Sequence, residues 1–137
     1  MKTYNRGMTF SPISALSPLD GRYASKLDAL RPLMSEQGYM HRRVQVEVAW
    51  FTALSDAGFA EFKPLTPGAR SYLTALVKNF SEADALAIKE IEKTTNHDVK
   101  AVEYWIKNQF KGHAELEAAA EFVHFACTSE DINNTSH

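Results

Sequence analysis

Only one cysteine, Cys127, occurs in the 137 residues, so no internal disulfide can form and the chain suits a reducing compartment. No apolar run approaches the roughly 18 residues that a membrane helix needs. The opening segment MKTYNRGMTFSPISALSPLDGRY has no continuous apolar stretch and carries Asp20, so it is not expected to be a signal peptide. A cytoplasmic location is the default expectation. Charge of either sign is not in excess: 15 Lys and Arg face 17 Asp and Glu, for a net charge of −2. That balance excludes a general attraction to nucleic acid or to an anionic membrane. An anionic ligand therefore needs a local site. His41, His113, His124 and His137 show no metal-ligand spacing with one another or with Cys127, and no metal site is expected. Gly-rich phosphate loops and nucleophile elbows are missing too. No window shows sustained apolar alternation bounded by turns, and there are no internal repeats.

What is present is helix. Apolar residues make up 45% of the chain and charged residues 23%, the balance of a globular domain with enough length to bury a core. In SEQGYMHRRVQVEVAWFTALSDAG, Met40, Val44, Val48, Phe51 and Leu54 recur at steps of three and four. Val46 and Trp50 add a second apolar side, so this helix is expected to be covered on more than one face, with Gly58 as its stop. His41, Arg42 and Arg43 read as its solvated face. TPGARSYLTALVKNF opens with Thr66 as N-cap and Pro67 at the first helical position, with Leu73, Leu76, Val77 and Phe80 as its buried stripe. SEADALAIKEIEK begins with Ser81 and Asp84 in capping-box spacing and carries Leu86, Ile88 and Ile91. A further helix is expected from about Asp98 to about Phe110, with Glu103 and Lys107 paired at i,i+4. The stretch after it is short and irregular, with Phe122, Val123 and Phe125 expected to be buried. The fold class is all-α.

Two polar clusters sit where irregular chain turns into helix: Thr95-Asn96-His97-Asp98 and Thr128-Ser129-Glu130-Asp131. Both have the form Thr-x-x-Asp, and both can be plain helix caps. Alternatively, each helix start offers N–H donors and partial positive charge to a carboxylate or phosphate. Caps account for Thr95 and Asp98 but leave Asn96 and His97 without a task, and a histidine can assist proton transfer near neutral pH. A third stretch, SPLDGRY at residues 17–23, presents Arg22 and Tyr23 beside an Asp-Gly turn. An arginine fork suits phosphate or carboxylate; the same residues also fit an ordinary surface turn. TSEDINNTSH opens a helix at Thr128 that the chain leaves after His137, which points to a piece of something longer.

Taken together, SPLDGRY, EKTTNHDVKAVEYW and EFVHFACTSEDINN resemble, in order, the N-terminal part of the bacterial adenylosuccinate lyases, within the fumarase/aspartase superfamily. The resemblance implies an N-terminal helical domain at residues 17–127. A flexible segment would precede it at 1–16, and the start of the central helical bundle would follow at 128–137. It implies elimination of fumarate from adenylosuccinate, giving AMP, and from SAICAR, giving AICAR, in purine biosynthesis. Neither a metal nor an organic cofactor takes part, and the family enzyme is a homotetramer. By the same resemblance Arg22 and Tyr23 contact the nucleotide, mainly its phosphate. Asn96, His97 and Asp98 line the substrate pocket, with His97 in a supporting catalytic role near the succinyl–purine junction. Thr128 and Ser129 hold a carboxylate. The family's base is a serine in a Gly-Ser-Ser-x-Met-Pro-x-Lys-x-Asn loop and its acid is a later histidine. Both lie beyond residue 137, so the chain alone is expected to be inactive. A non-catalytic helical interaction module, or another superfamily lyase such as argininosuccinate lyase, is the alternative.

Overall fold

The structure, a computed structural model, describes residues 11–137. Of the segment 1–16 expected to be flexible, residues 1–10 lie outside the described residues. The chain divides into two compact units, one ending at Ser35 and one running from Glu36 to His137.

In the first unit, a 3-10 turn at Ala24–Lys26 and a short helix α1, Arg31–Met34, follow a series of turns. Gly21 is buried in those turns, and a Cβ there would come within 2.7 Å of the Pro12 carbonyl oxygen. The close approach of two backbones excludes any larger residue immediately before Arg22.

The second unit holds α2 (Glu36–Ser55), α3 (Pro67–Lys78), α4 (Glu82–Thr95), α5 (Asp98–Gln109), α6 (Ala114–Ala118), a 3-10 turn at Ala120–Phe122, and α7 (Ser129–Ser136). No strand occurs among the described residues. Met40, Val44, Val48, Phe51 and Leu54 of α2 are all buried, as their spacing requires, and α3, α4, α5 and α7 all pack on this helix. Phe51 meets Phe62 and Phe110, and Phe62 stacks on Phe122, with ring centroids 4.5–5.2 Å apart. Aromatic pairing at these distances adds to the area that the rings remove from water.

The start of α3 follows the local signals: Thr66 accepts a hydrogen bond from the Ala69 N–H, with Pro67 next in the chain. At α4, Ser81 and Asp84 form both halves of a capping box. Lys107 bonds Glu103 at 3.2 Å along α5. Other expectations fail. Of the α3 stripe only Leu73 is buried; Leu76, Val77 and Phe80 pack half-buried against the core. Phe125 is exposed, with left-handed backbone on either side of it at His124 and Ala126. The second apolar side of α2 is not covered within the described residues. Val46, Ala49 and Trp50 line an open groove of about 730 Å³ whose far wall is Cys127 and Ile132.

The supposed solvated face His41-Arg42-Arg43 is overturned. Arg43 is buried, bonded at 2.6 Å to Asp98, and His41 Nε2 bonds the Val77 carbonyl at 2.8 Å while its ring stacks on Phe80. Successive helical residues are rotated by about 100°, so three in a row cannot share one face.

Candidate functional site

Only two residues connect α4 to α5. Asn96 adopts left-handed backbone (φ 50°) and ends α4, its N–H bonding the Glu92 carbonyl at 2.8 Å; His97 is extended and begins α5. Asparagine tolerates that conformation better than most residues. This tight corner reassigns the cluster. Thr95 belongs to α4 and is not a cap of α5; the cap is His97, whose Nδ1 accepts from the Lys100 N–H at 3.2 Å. At the second cluster the expectation holds. Thr128 caps α7, its hydroxyl oxygen accepting from the Asp131 N–H and its own N–H donating to the Asp131 carboxylate.

The two clusters touch. His97 Nε2 and Ser129 Oγ are 3.2 Å apart across 32 residues of sequence. Because Nδ1 accepts a backbone N–H, a neutral ring carries its proton on Nε2, and Nε2–H donates to the Ser129 oxygen. Ser129 then keeps its own hydroxyl proton for another acceptor. Thr128 differs, since its hydroxyl lies 2.9 Å from Asp131 Oδ2 and donates there. The α5 start has little left to offer an anion: its Val99 N–H bonds Asp98 Oδ1 at 2.8 Å and its Lys100 N–H bonds His97. At α7 the first two N–H groups, of Ser129 and Glu130, lie before the point where intrahelical bonding begins. The start of α7 is thus the better anion donor of the two.

Asp98 is half exposed and spans two partners, the Val99 N–H and Arg43 Nη2. Burial pushes its carboxyl pKa up, but the Val99 bond and the Arg43 charge outweigh burial and hold it below the ordinary range. A folded-state value below the unfolded one means stability present above the unfolded pKa and lost as pH falls through the folded one. Wild type is therefore expected to be more stable than Asp98→Asn at neutral pH, with the gap narrowing in acid below the usual aspartate range. Urea midpoints measured across that span check this; a gap that stays constant with pH would contradict it.

Residues 123–127 deliver Thr128 to its place. His124 and Ala126 both have φ near +60°, a conformation disfavoured for non-glycine residues. Two bonds to α2 hold this strap, from His124 Nδ1 to Glu47 Oε1 at 2.6 Å and from Trp50 Nε1–H to the Phe125 carbonyl at 2.8 Å. Glu47 is fully buried, and burial raises its pKa despite the histidine partner. Cys127, half-buried, has its thiol pKa raised by burial and by the nearby Glu47 and Asp131 charges, which suits an inert thiol.

Of the seven expected site residues, Asn96, His97, Asp98, Thr128 and Ser129 belong to the second unit. Its α5 and α7 starts are joined there by the His97–Ser129 contact. Arg22 and Tyr23 belong to the first unit, where both are exposed and the guanidinium lies 5.3 Å from the tyrosine ring centroid. Sequence reasoning missed Arg43, Glu47 and His124. The signal for the first two was a charge placed within one residue of the apolar stripe Met40-Val44-Val48-Phe51.

The described residues are thus all-helical, with the starts of α5 and α7 in contact. Residues 21–137 match the sequence model of a family described as Lyase, and the chain belongs to that family. Among its relatives are adenylosuccinate lyases, to which it is similar over 131 residues: 55% identical to that of Haemophilus influenzae, 54% to that of Vibrio cholerae and 53% to that of Escherichia coli K12. Each alignment covers 95% of this chain, which spans 29% of the length of these relatives. No helix among the described residues is long and apolar enough to cross a membrane.

Proposed function

We propose that this chain is the N-terminal portion of an adenylosuccinate lyase, a cytoplasmic homotetramer of purine biosynthesis that eliminates fumarate from adenylosuccinate and from SAICAR. Residues 17–127 form its N-terminal helical domain in this reading, and 128–137 open the central bundle. The observation that carries the site is the His97–Ser129 contact at 3.2 Å, which joins two polar motifs that helix capping alone gives no reason to join.

The reaction sets the demands. A base removes the proton from the carbon next to a succinyl carboxylate, and charge spreads into that carboxylate. A carbon–carbon double bond then forms as the carbon–nitrogen bond breaks, and an acid protonates the departing nitrogen. The base and acid lie beyond residue 137. The part assigned to this chain is to bind and orient. Ser129, with Thr128 at the same helix start, faces the carboxylate that gains charge, where preorganised donors contribute most to the rate. His97 supports Ser129 near the bond that breaks, Asn96 and Asp98 line the same wall, and Arg22 and Tyr23 take the phosphate. The 137-residue chain alone is inactive.

The gene, read past codon 137, is expected to encode the Gly-Ser-Ser-x-Met-Pro-x-Lys-x-Asn loop. Its complete product should release AMP and fumarate in equal amounts from adenylosuccinate. A purified, folded product that releases neither from adenylosuccinate nor fumarate from SAICAR sinks the reading.

A further inference from the structure

A buried arginine grips both helices that carry the His97–Ser129 contact. The Arg43 side chain is 9% exposed. Its Nη2 donates to Asp98 Oδ2 at 2.6 Å, on the residue after His97, and its Nε donates to Asn133 Oδ1 at 3.0 Å, one turn of α7 beyond Ser129. Tyr39 completes the arrangement: its ring lies under the guanidinium, 4.2 Å from centroid to Cζ, and its hydroxyl donates to the same Asn133 oxygen at 3.1 Å. Three helices, α2, α5 and α7, therefore meet on one planar cation.

We infer that Arg43 is a positioning residue for the elimination: it fixes the start of α5 against the start of α7 and so sets the distance between His97 and Ser129. The inference rests on the function proposed above. Arg43 acts through other groups, because its side chain is buried and its donors are directed at Asp98 and Asn133. A guanidinium is needed because its fork reaches two oxygens in fixed directions while its flat face stacks on the tyrosine. A lysine ammonium keeps the charge but cannot hold both acceptors and the ring in one geometry. The cost of burying the cation is offset by these partners, so removing one of them leaves the charge poorly matched.

The test is Arg43→Lys in the complete enzyme, with kinetics and a crystal structure. A misplacement of roughly 1 Å at a reacting centre lowers turnover by up to about 100-fold. The expected result is therefore a kcat reduced about 10- to 50-fold with KM changed by less than about threefold. In the crystal, His97 Nε2 and Ser129 Oγ should move out of hydrogen-bond reach. Wild-type kcat, or a lower melting temperature with kcat and KM intact, overturns the inference. If Arg43→Lys does not fold, Asn133→Ala decides. It leaves the Arg43–Asp98 pair in place and should show the same split between kcat and KM; normal turnover there, or failure of both variants to fold, counts against the clasp. Failure of the functional reading looks different. The unsubstituted enzyme would then release no fumarate, while the His97–Ser129 distance in the Arg43→Lys crystal would still report on the clasp.

Discussion

His97→Asn in the complete enzyme is expected to lower kcat for adenylosuccinate cleavage about 100- to 1000-fold while leaving the melting temperature within about 2 °C of wild type. The two ring nitrogens of His97 have separable tasks. Nδ1 caps α5 by accepting the Lys100 N–H, and Nε2 meets Ser129. Asparagine is among the best N-cap residues, so its side-chain oxygen can take over the first task. It carries no imidazole to continue the second. His97→Ala removes both, and loss of the cap adds about 1 kcal/mol of destabilisation.

Magnitudes keep these effects apart. A 100-fold loss of turnover corresponds to about 2.7 kcal/mol of transition-state stabilisation. A protein stable by roughly 5–15 kcal/mol that loses about 1 remains almost wholly folded, so unfolding cannot produce a loss of that size. Thermal melts and initial rates on His97→Ala and His97→Asn together decide the matter. Near-normal turnover in His97→Asn would leave the residue as a cap and nothing more.

Most of the helices were legible in the sequence because their signals are local. Pro67 after Thr66 and the Ser81–Asp84 spacing act within one turn, and the structure repeats them. The identical pattern Thr95-x-x-Asp98 misled for a reason that no single cluster contains. Whether a threonine can cap a helix depends on where the preceding helix stops, and α4 runs on through Thr95 before Asn96 ends it. At Thr128 the preceding chain is a non-helical strap, so the same pattern becomes a capping box.

Arg43 was misread because its neighbours in sequence, His41 and Arg42, suggested a solvated run. The helical projection instead puts Arg43 and Glu47 beside the buried stripe, where a charge requires a partner. Those partners, Asp98 and His124, come from 55 and 77 residues away. It was the resemblance, and no spacing of residues, that grouped the two clusters into one candidate site. Nothing in either Thr-x-x-Asp cluster specifies that His97 and Ser129 should meet, since that contact depends on how α5 and α7 both pack on α2.

Thr128 and Ser129, paired by resemblance as joint carboxylate ligands, are expected to separate on mutation. Thr128 has one hydroxyl proton, and Asp131 Oδ2 receives it at 2.9 Å; the backbone and hydroxyl bonds from Thr128 hold the Asp131 pKa down. Donating to a substrate carboxylate would break that bond, so most of what Thr128 contributes is the order of the α7 start. Ser129 accepts from His97 and has its proton available. Ser129→Ala is accordingly expected to reduce kcat about 100-fold, the lower end for removing one donor to a developing anion. Its stability should change by less than about 0.5 kcal/mol, because the side chain caps nothing. Thr128→Val should do the reverse, costing about 1 kcal/mol of stability through the lost cap. Its turnover should fall by clearly less than that of Ser129→Ala. Denaturation midpoints and kcat values for both variants give two rankings that must run in opposite order. If Thr128→Val proves the more damaging to turnover, its proton is delivered to the substrate despite Asp131, and the division of labour drawn from the capping box is wrong.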